Sequence, residues 1–318
     1  DKDAGFTIEQ NLRHRGYSAK NITHLKKTPE SVLLNGIWVH MTHHLTSGDE
    51  LVIRIVEEQS SERVPPVEHP IHIVYEDEDI LLLNKPAGVL TQKAKPEDLS
   101  LNEWLIGHLL ATDAITEADL ATFHPSVCNR LDRNTSGIVL CGKTLSGSQA
   151  LSRIIKDRTV KKYYQTICKG KIVQESTLEG YLYKEESTNT VKVYADPSEA
   201  PAEASYIRTI YMPNAVAGDF TLLTVELVTG KTHQIRAHLA GTGHPLLGDT
   251  KYGDNKLNRR MQSEYALHHQ LLHAGRICFP KEAEGPLAKV SGQTFTAPLP
   301  HIFAEILQAL NLAPDSAC

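Results

Sequence analysis

Asn129-Arg130-Leu131-Asp132-Arg133-Asn134-Thr135-Ser136-Gly137-Ile138-Val139-Leu140-Cys141-Gly142-Lys143-Thr144 admits two incompatible architectures. From Gly137 it matches G-x-x-x-x-G-K-[ST], the phosphate-cradling loop between a strand and a helix. The residues between the two glycines are Ile, Val, Leu and Cys. They favour an extended, buried strand over a curled loop of exposed backbone N–H groups. No apolar strand precedes Gly137 either, since residues 129–136 are polar and turn-rich. The stretch therefore reads as a polar loop feeding a buried strand. The competing nucleotide-hydrolase reading requires ATP hydrolysis that is lost in Lys143→Ala, and none is expected.

The flanking text is rich in short strands: Ile71–Tyr75, Ile80–Leu83, Tyr163–Cys168, Val191–Tyr194, Tyr206–Tyr211 and Phe220–Val228. Helices are expected from Ser100 to about Ala111, Ser146–Asp157, Thr232–Ala240 and Pro300–Leu310. Strand and helix do not alternate regularly, which argues against a doubly wound parallel sheet. The expected class is α+β with a mixed, mainly antiparallel sheet over residues 70–312, followed by a tail at 313–318.

Residues 1–57 read as a separate small unit. Thr7-Ile8-Glu9-Gln10 has capping-box spacing, Asn35-Gly36 interrupts an apolar run as a hairpin turn does, and Ser47-Gly48-Asp49-Glu50 leads into a strand at Leu51–Val56. The run Val32-Leu33-Leu34-Asn35-Gly36 through Gly48-Asp49-Glu50-Leu51 resembles an S4-like RNA-binding domain. Residues 58–69 are polar and proline-containing and read as a linker.

At 318 residues and 41% hydrophobic content, the chain can bury two cores. No apolar run approaches the roughly 18 residues of a membrane helix, and Asp1–Phe6 carries no secretory signal. Five scattered cysteines without a C-x-x-C pair point to a reducing, cytoplasmic compartment. The net charge of −5 is unevenly placed. Between Ser126 and Gly170 there are nine Lys or Arg against two acids, a candidate phosphate footprint inside an acidic chain.

Three segments hold candidate chemistry. Asp132 lies between Arg130 and Arg133, neighbours that favour a charged carboxylate able to act as a nucleophile; an Asx turn is the plainer reading. In Thr229-Gly230-Lys231-Thr232-His233-Gln234-Ile235-Arg236, a strand gives way to a helix. Ile235 and Leu239 take its core face, and Arg236 can hold a carboxylate. Tyr163 and Tyr164 start a strand and point to opposite faces.

Together these segments resemble the RluA family of RNA pseudouridine synthases. The likeness is carried by Arg130 to Gly137, Lys162-Tyr163-Tyr164 and Thr229 to Arg236. Leu83-Asn84-Lys85-Pro86-Ala87-Gly88, Gly243-His244-Pro245, Gly248-Asp249, Tyr252-Gly253 and Leu272-His273-Ala274 support it. The resemblance implies that Asp132 is the nucleophile, Tyr164 the active-site tyrosine, Arg236 the partner of Asp132, and Arg130 the residue that fills the gap left by a flipped base. One position departs: Asn129 stands where the family usually has His.

The implied activity is isomerisation of a uridine in structured RNA, ribosomal RNA being favoured over transfer RNA, by a monomer. The glycosidic bond is broken and remade with no net redox change, so neither cofactor nor metal is expected. Further RNA contacts are expected from Arg133, Thr135, Lys143, Lys162, Lys231, His233 and Gln234. A different class, an RNA-binding or chaperone module, requires RNA binding and a cellular phenotype that persist without Asp132. The histidine groups at 40, 43 and 44 and at 268, 269 and 273 lack a completing Cys or carboxylate, so no metal is assigned to them.

Overall fold

Thr7 caps the first helix of the computed structural model, which describes residues 4–15, 17, 19–54, 71–95 and 97–312. Gln10 N donates to the Thr7 hydroxyl at 3.1 Å, and Thr7 N donates to the Gln10 side chain at 2.8 Å, the reciprocal box its sequence predicts. Helices α1 (Ile8–His14) and α2 (Ala19–Lys27) bring Ile8, Leu12, Ile22 and Leu25 onto Val32 and Leu34. Strands β1 (Val32–Leu34) and β2 (Ile37–Trp38) pair across Asn35 and Gly36, whose φ values of 51° and 81° suit a two-residue hairpin. Strand β3 (Leu51–Ile53) completes the three-stranded sheet. The expected continuation of β3 to Val56, the linker at 58–69 and the tail at 313–318 lie outside the described residues.

The second sheet has eleven strands among the described residues. They are β4 (His72–Glu76), β5 (Ile80–Lys85), β6 (Ser126–Val127), β7 (Ser136–Gly142), β8 (Lys161–Lys169), β9 (Ser176–Glu185), β10 (Thr190–Tyr194), β11 (Ser205–Ala217), β12 (Phe220–Leu227), β13 (Leu272–Cys278) and β14 (Thr294–Thr296). The order is β10-β9-β11-β12-β8-β13-β7-β5-β4, with β6 beside β7 and β14 beside β13. Every pairing is antiparallel except β7 with β13. The sheet is mixed and mainly antiparallel, as expected.

Strict alternation divides the faces. Leu81, Leu83, Val139 and Cys141 join a core with α3 (Leu101–Ala111) and with Ile235 and Leu239 of a later helix. Ile80, Leu82, Ile138 and Leu140 join another core with Leu151, Leu287 and Val290. α4 (Glu117–Thr122) and α5 (Leu145–Lys156) follow α3 in the chain, and Leu151 lies on α5.

All seven residues of β7 are buried, which settles the first stretch. Gly137 has φ 115°, and a Cβ there would strike the Ala274 backbone across the parallel pairing. A Cβ on Gly142 would strike Ser148 of α5. Both glycines of the apparent phosphate loop thus serve close packing. Lys143 is held at 2.7 Å by both Glu76 Oε1 and Asp77 O.

Three more α-helices follow among the described residues: α6 (Gln234–Gly241), α7 (Asn255–Tyr265) and α8 (His301–Ala309). α6 starts two residues later than expected, because His233 takes a left-handed conformation of φ 52°, ψ 17° ahead of it. α2, α4, α7, β6, β9, β13 and β14 were not expected. α7 turns one narrow apolar stripe, Leu257, Met261 and Tyr265 at four-residue spacing, onto the core of α8, and is polar elsewhere.

Candidate active site

The loop between β6 and β7 is tied down on every side of Asp132. Leu140 N donates to the Asn129 side chain at 2.7 Å, Thr91 Oγ1 donates to Leu131 O at 2.8 Å, and Thr135 N donates to Asp132 O at 3.0 Å. Arg133 Nε and Gly88 N bond in opposite senses to Gly88 O and Arg133 O, each at 3.0 Å. Beneath the loop, the fully buried Lys85 donates to Pro86 O, Val89 O and Arg133 O, each at 2.9 Å. Burial pulls its pKa down to about 7, with the Asp132 charge pulling the other way. Three carbonyl acceptors use three hydrogens, which only the ammonium form has.

Asp132 meets Arg236, 104 positions later, at 2.8 Å from Nη1 to Oδ2. The Asp132 side chain is 24% exposed and that of Arg236 only 5%. The other edge of the guanidinium is taken by Asp249, with Nε to Oδ2 at 2.7 Å and Nη2 to Oδ1 at 2.9 Å. Asp249 is wholly buried and also accepts from Lys251 N and Tyr252 N. Burial opposes the charge on Arg236, but the bonds and charges of Asp249 and Asp132 outweigh it and raise its pKa. Burial likewise opposes the Asp249 carboxylate, and Arg236 outweighs it. One cation thus lies between two carboxylates, a buried one that anchors it and a partly open one that it aims. Among the described residues nothing bonds to Asp132 Oδ1, and the side chain is partly open to solvent.

Register places Tyr164 here. His273 of β13 pairs with Ser136 of β7 on one side and with Gln165 of β8 on the other. Tyr164 is buried on the face shared with Leu131, Ile235 and Ala274. Burial raises its pKa, and the nearby charge of Asp132 raises it further, so it is a neutral phenol. Tyr163 points the other way, with the Arg276 guanidinium 4.3 Å from its ring centre.

The remaining expected contacts separate into groups. Arg130 and Arg133 are exposed beside Asp132, and Lys231 is exposed before α6. Lys162, two residues before Tyr164 on the same face, is half-buried near Gly230, and burial lowers its pKa. Lys143 is not with them: it sits at the opposite end of β7, roughly 20 Å from Ser136 at a strand's rise, inside an acidic turn. The basic block is therefore not one continuous footprint. Thr135 and Gln234 are buried and work inside the protein. Thr135 accepts from Gln270, and Gln234 bonds Thr229, Arg208 O and Thr209.

Lys85 and Asp249 were quoted in the sequence only as supporting text and given no role. Their signal was present, a lysine at a strand end before Pro86 and an acid after Gly248, but neither residue type names its partner. His273 bonds Ser136 Oγ at 2.9 Å and Ala297 O at 3.2 Å. Among the described residues no group of three His, Cys, Asp or Glu is gathered as for a metal.

α6 carries Arg236 and is anchored by His238. Gln234 Nε2 donates to Thr209 Oγ1, which is 2.9 Å from His238 Nδ1. Among the described residues His238 Nε2 is buried without a partner, and burial lowers the pKa of the ring to about 4. A base whose folded pKa is depressed stabilises the fold above its unfolded value of 6.5 and loses that contribution as pH falls toward 4. Urea unfolding at pH 7.5 and pH 4.5 is expected to show an acid destabilisation about 2 kcal/mol larger in the wild type than in His238→Phe.

The structure thus joins a partly exposed, ion-paired carboxylate, the kind of group that can act as a nucleophile, to a buried neutral tyrosine on the neighbouring strands. The chain belongs to the RNA pseudouridylate synthase family, which it matches over residues 79–241. The RluA-type resemblance holds, and the enzyme isomerises uridine in RNA. Uncharacterized RNA pseudouridine synthase YjbO of Bacillus subtilis is 28% identical over 96% of this chain and 100% of its own length. Ribosomal large subunit pseudouridine synthase D of Pasteurella multocida is 30% identical over 88% of this chain and 83% of its own. Human RNA Pseudouridylate Synthase Domain Containing 4 shares the fold with a TM-score of 0.61 at 20% identity, covering 75% of this chain and 92% of its own.

Proposed function

We propose that the enzyme converts a particular uridine of large-subunit ribosomal RNA to pseudouridine, with Asp132 as nucleophile. The 2.8 Å pair between Asp132 and Arg236 carries this reading. Asp132 Oδ1 attacks C1′ of the flipped nucleotide, the N1–C1′ bond breaks, and uracil leaves with the electron pair. The ring turns, C5 attacks C1′, and the carboxylate is expelled. C5 then loses its proton, and N1 ends protonated. Tyr164, a neutral phenol, packs against the uracil. Arg130 fills the vacated stack, and Arg133, Lys162 and Lys231 meet phosphates, offsetting the few kcal/mol that flipping costs.

Residues 1–57 act as an S4-like RNA-binding unit that adds affinity for a large folded target, joined by the linker at 58–69 to a catalytic unit at 70–312. The enzyme acts as a monomer, and the cytoplasm is where this substrate is met. Ribosomal RNA labelled with 5-tritiated uridine is expected to release tritium on incubation with the purified protein. Mapping of cells with and without the gene is expected to lose one large-subunit pseudouridine. Release from transfer RNA alone would overturn the substrate assignment.

A further inference from the structure

We propose that His233 is a second positioning residue for Asp132, locked by Tyr252 so that its Nε2–H faces the carboxylate oxygen already held by Arg236. The inference rests on the reading of Asp132 as nucleophile. Three observations lead to it.

The first is a hydrogen count. Val191 N of β10 donates to Tyr252 Oη at 2.8 Å, and Tyr252 Oη lies 2.9 Å from His233 Nδ1. Among the described residues His233 Nδ1 is the one acceptor within reach of the phenol hydrogen, which assigns that hydrogen to Nδ1 and the ring hydrogen to Nε2. The second is position. Nε2 is 3.9 Å from Asp132 Oδ2, and the imidazole is buried. The third is backbone. His233 is left-handed at φ 52°, a conformation histidine takes more readily than most residues, at the junction that launches the helix of Arg236, so the backbone aims its ring from the same turn that places the arginine. The charged groups bearing on the ring are Asp132, Arg236, Lys251 and Asp249. Burial leads, and the net effect lowers its pKa and keeps it neutral.

A separation of 3.9 Å is too long for a hydrogen bond in the resting enzyme. As Oδ1 advances on C1′ the carboxylate turns, and Oδ2 closes on Nε2–H. The bond is then made on the way to the transition state and is absent from the ground state, so it acts on kcat and leaves KM alone. The Val191 link makes strand β10 part of the device.

The test uses the full chain and RNA containing 5-tritiated uridine. His233→Ala is expected to lower kcat about tenfold or more with KM nearly unchanged, and His233→Gln, which keeps an N–H at a similar reach, to recover most of the loss. Tyr252→Phe is expected to lower kcat as well, and to add little in the presence of His233→Ala. Nitrogen-15 NMR of the wild-type imidazole is expected to show hydrogen on Nε2 and an accepting Nδ1, a readout independent of whether any variant folds. Hydrogen on Nδ1, or wild-type kcat in His233→Ala, overturns the proposal. Should Asp132→Asn remain active, the nucleophile reading itself fails; should Asp132→Asn be inactive while His233→Ala turns over normally, only the present inference falls.

Discussion

Asp132→Asn is expected to abolish tritium release from 5-tritiated uridine RNA, by at least about four orders of magnitude or roughly 5 kcal/mol of barrier. The substitution is nearly isosteric and its amide oxygen can still accept from Arg236 Nη1. The protein should therefore stay folded. Removing this carboxylate leaves Arg236 paired one-to-one with the buried Asp249, so no orphaned charge is created. Stability within about 1 kcal/mol of wild type is expected, as for a partly exposed side chain without a cavity. RNA affinity should change little, because the surrounding cations are untouched. An inactive, folded, RNA-binding variant separates chemistry from binding, and full activity would remove Asp132 from the mechanism.

Arg236→Ala is expected to do damage of a different kind. It takes both bonds from Asp249, which has no exposure and keeps only the two backbone donors of Lys251 and Tyr252. Breaking a buried pair by deleting one partner costs about 3–5 kcal/mol. For a unit of this size that corresponds to a fall in Tm of roughly 10 °C. Activity is expected to vanish with it, since the carboxylate at 132 loses the bond that orients it. Adding Asp249→Asn should restore much of the Tm, by removing the uncompensated charge, and none of the turnover. Arg236→Lys should also fail, because a point charge cannot serve two carboxylates along separate edges of a plane. Calorimetry and tritium release on the four proteins give the result; a double variant that regains activity would show Arg236 to be purely structural.

Much of the fold was legible because its causes are short-ranged. Thr7 and Ser100 cap helices through residues three positions away, as read. Asn35-Gly36 turns a hairpin because both residues accept positive φ. Ile138 to Cys141 form a buried strand because their side chains fit one, whatever the surrounding glycines spell. Where the pattern was weak, the reading failed: α7 shows only three apolar residues in eleven, β13 is broken by His273 and Gly275, and β9 is interrupted by Gly180.

The site divides along the same line. Chain text alone determined that residues 137–142 are a strand, that Tyr163 and Tyr164 face apart, and that a helix carries Arg236, since each follows from local periodicity. The resemblance to known synthases then supplied the pairing of residues 132 and 236, which no spacing could. Only the folded molecule decided that the cation is shared with Asp249, that Lys85 clamps the loop from below, that Lys143 belongs to an acidic turn far away, and that Thr135 and Gln234 are spent on internal bonds. Those are questions of which groups meet after distant strands pair, and in particular after β13 comes to lie parallel with β7. A charged side chain takes its role from the partner it is brought to, and that partner is set by topology.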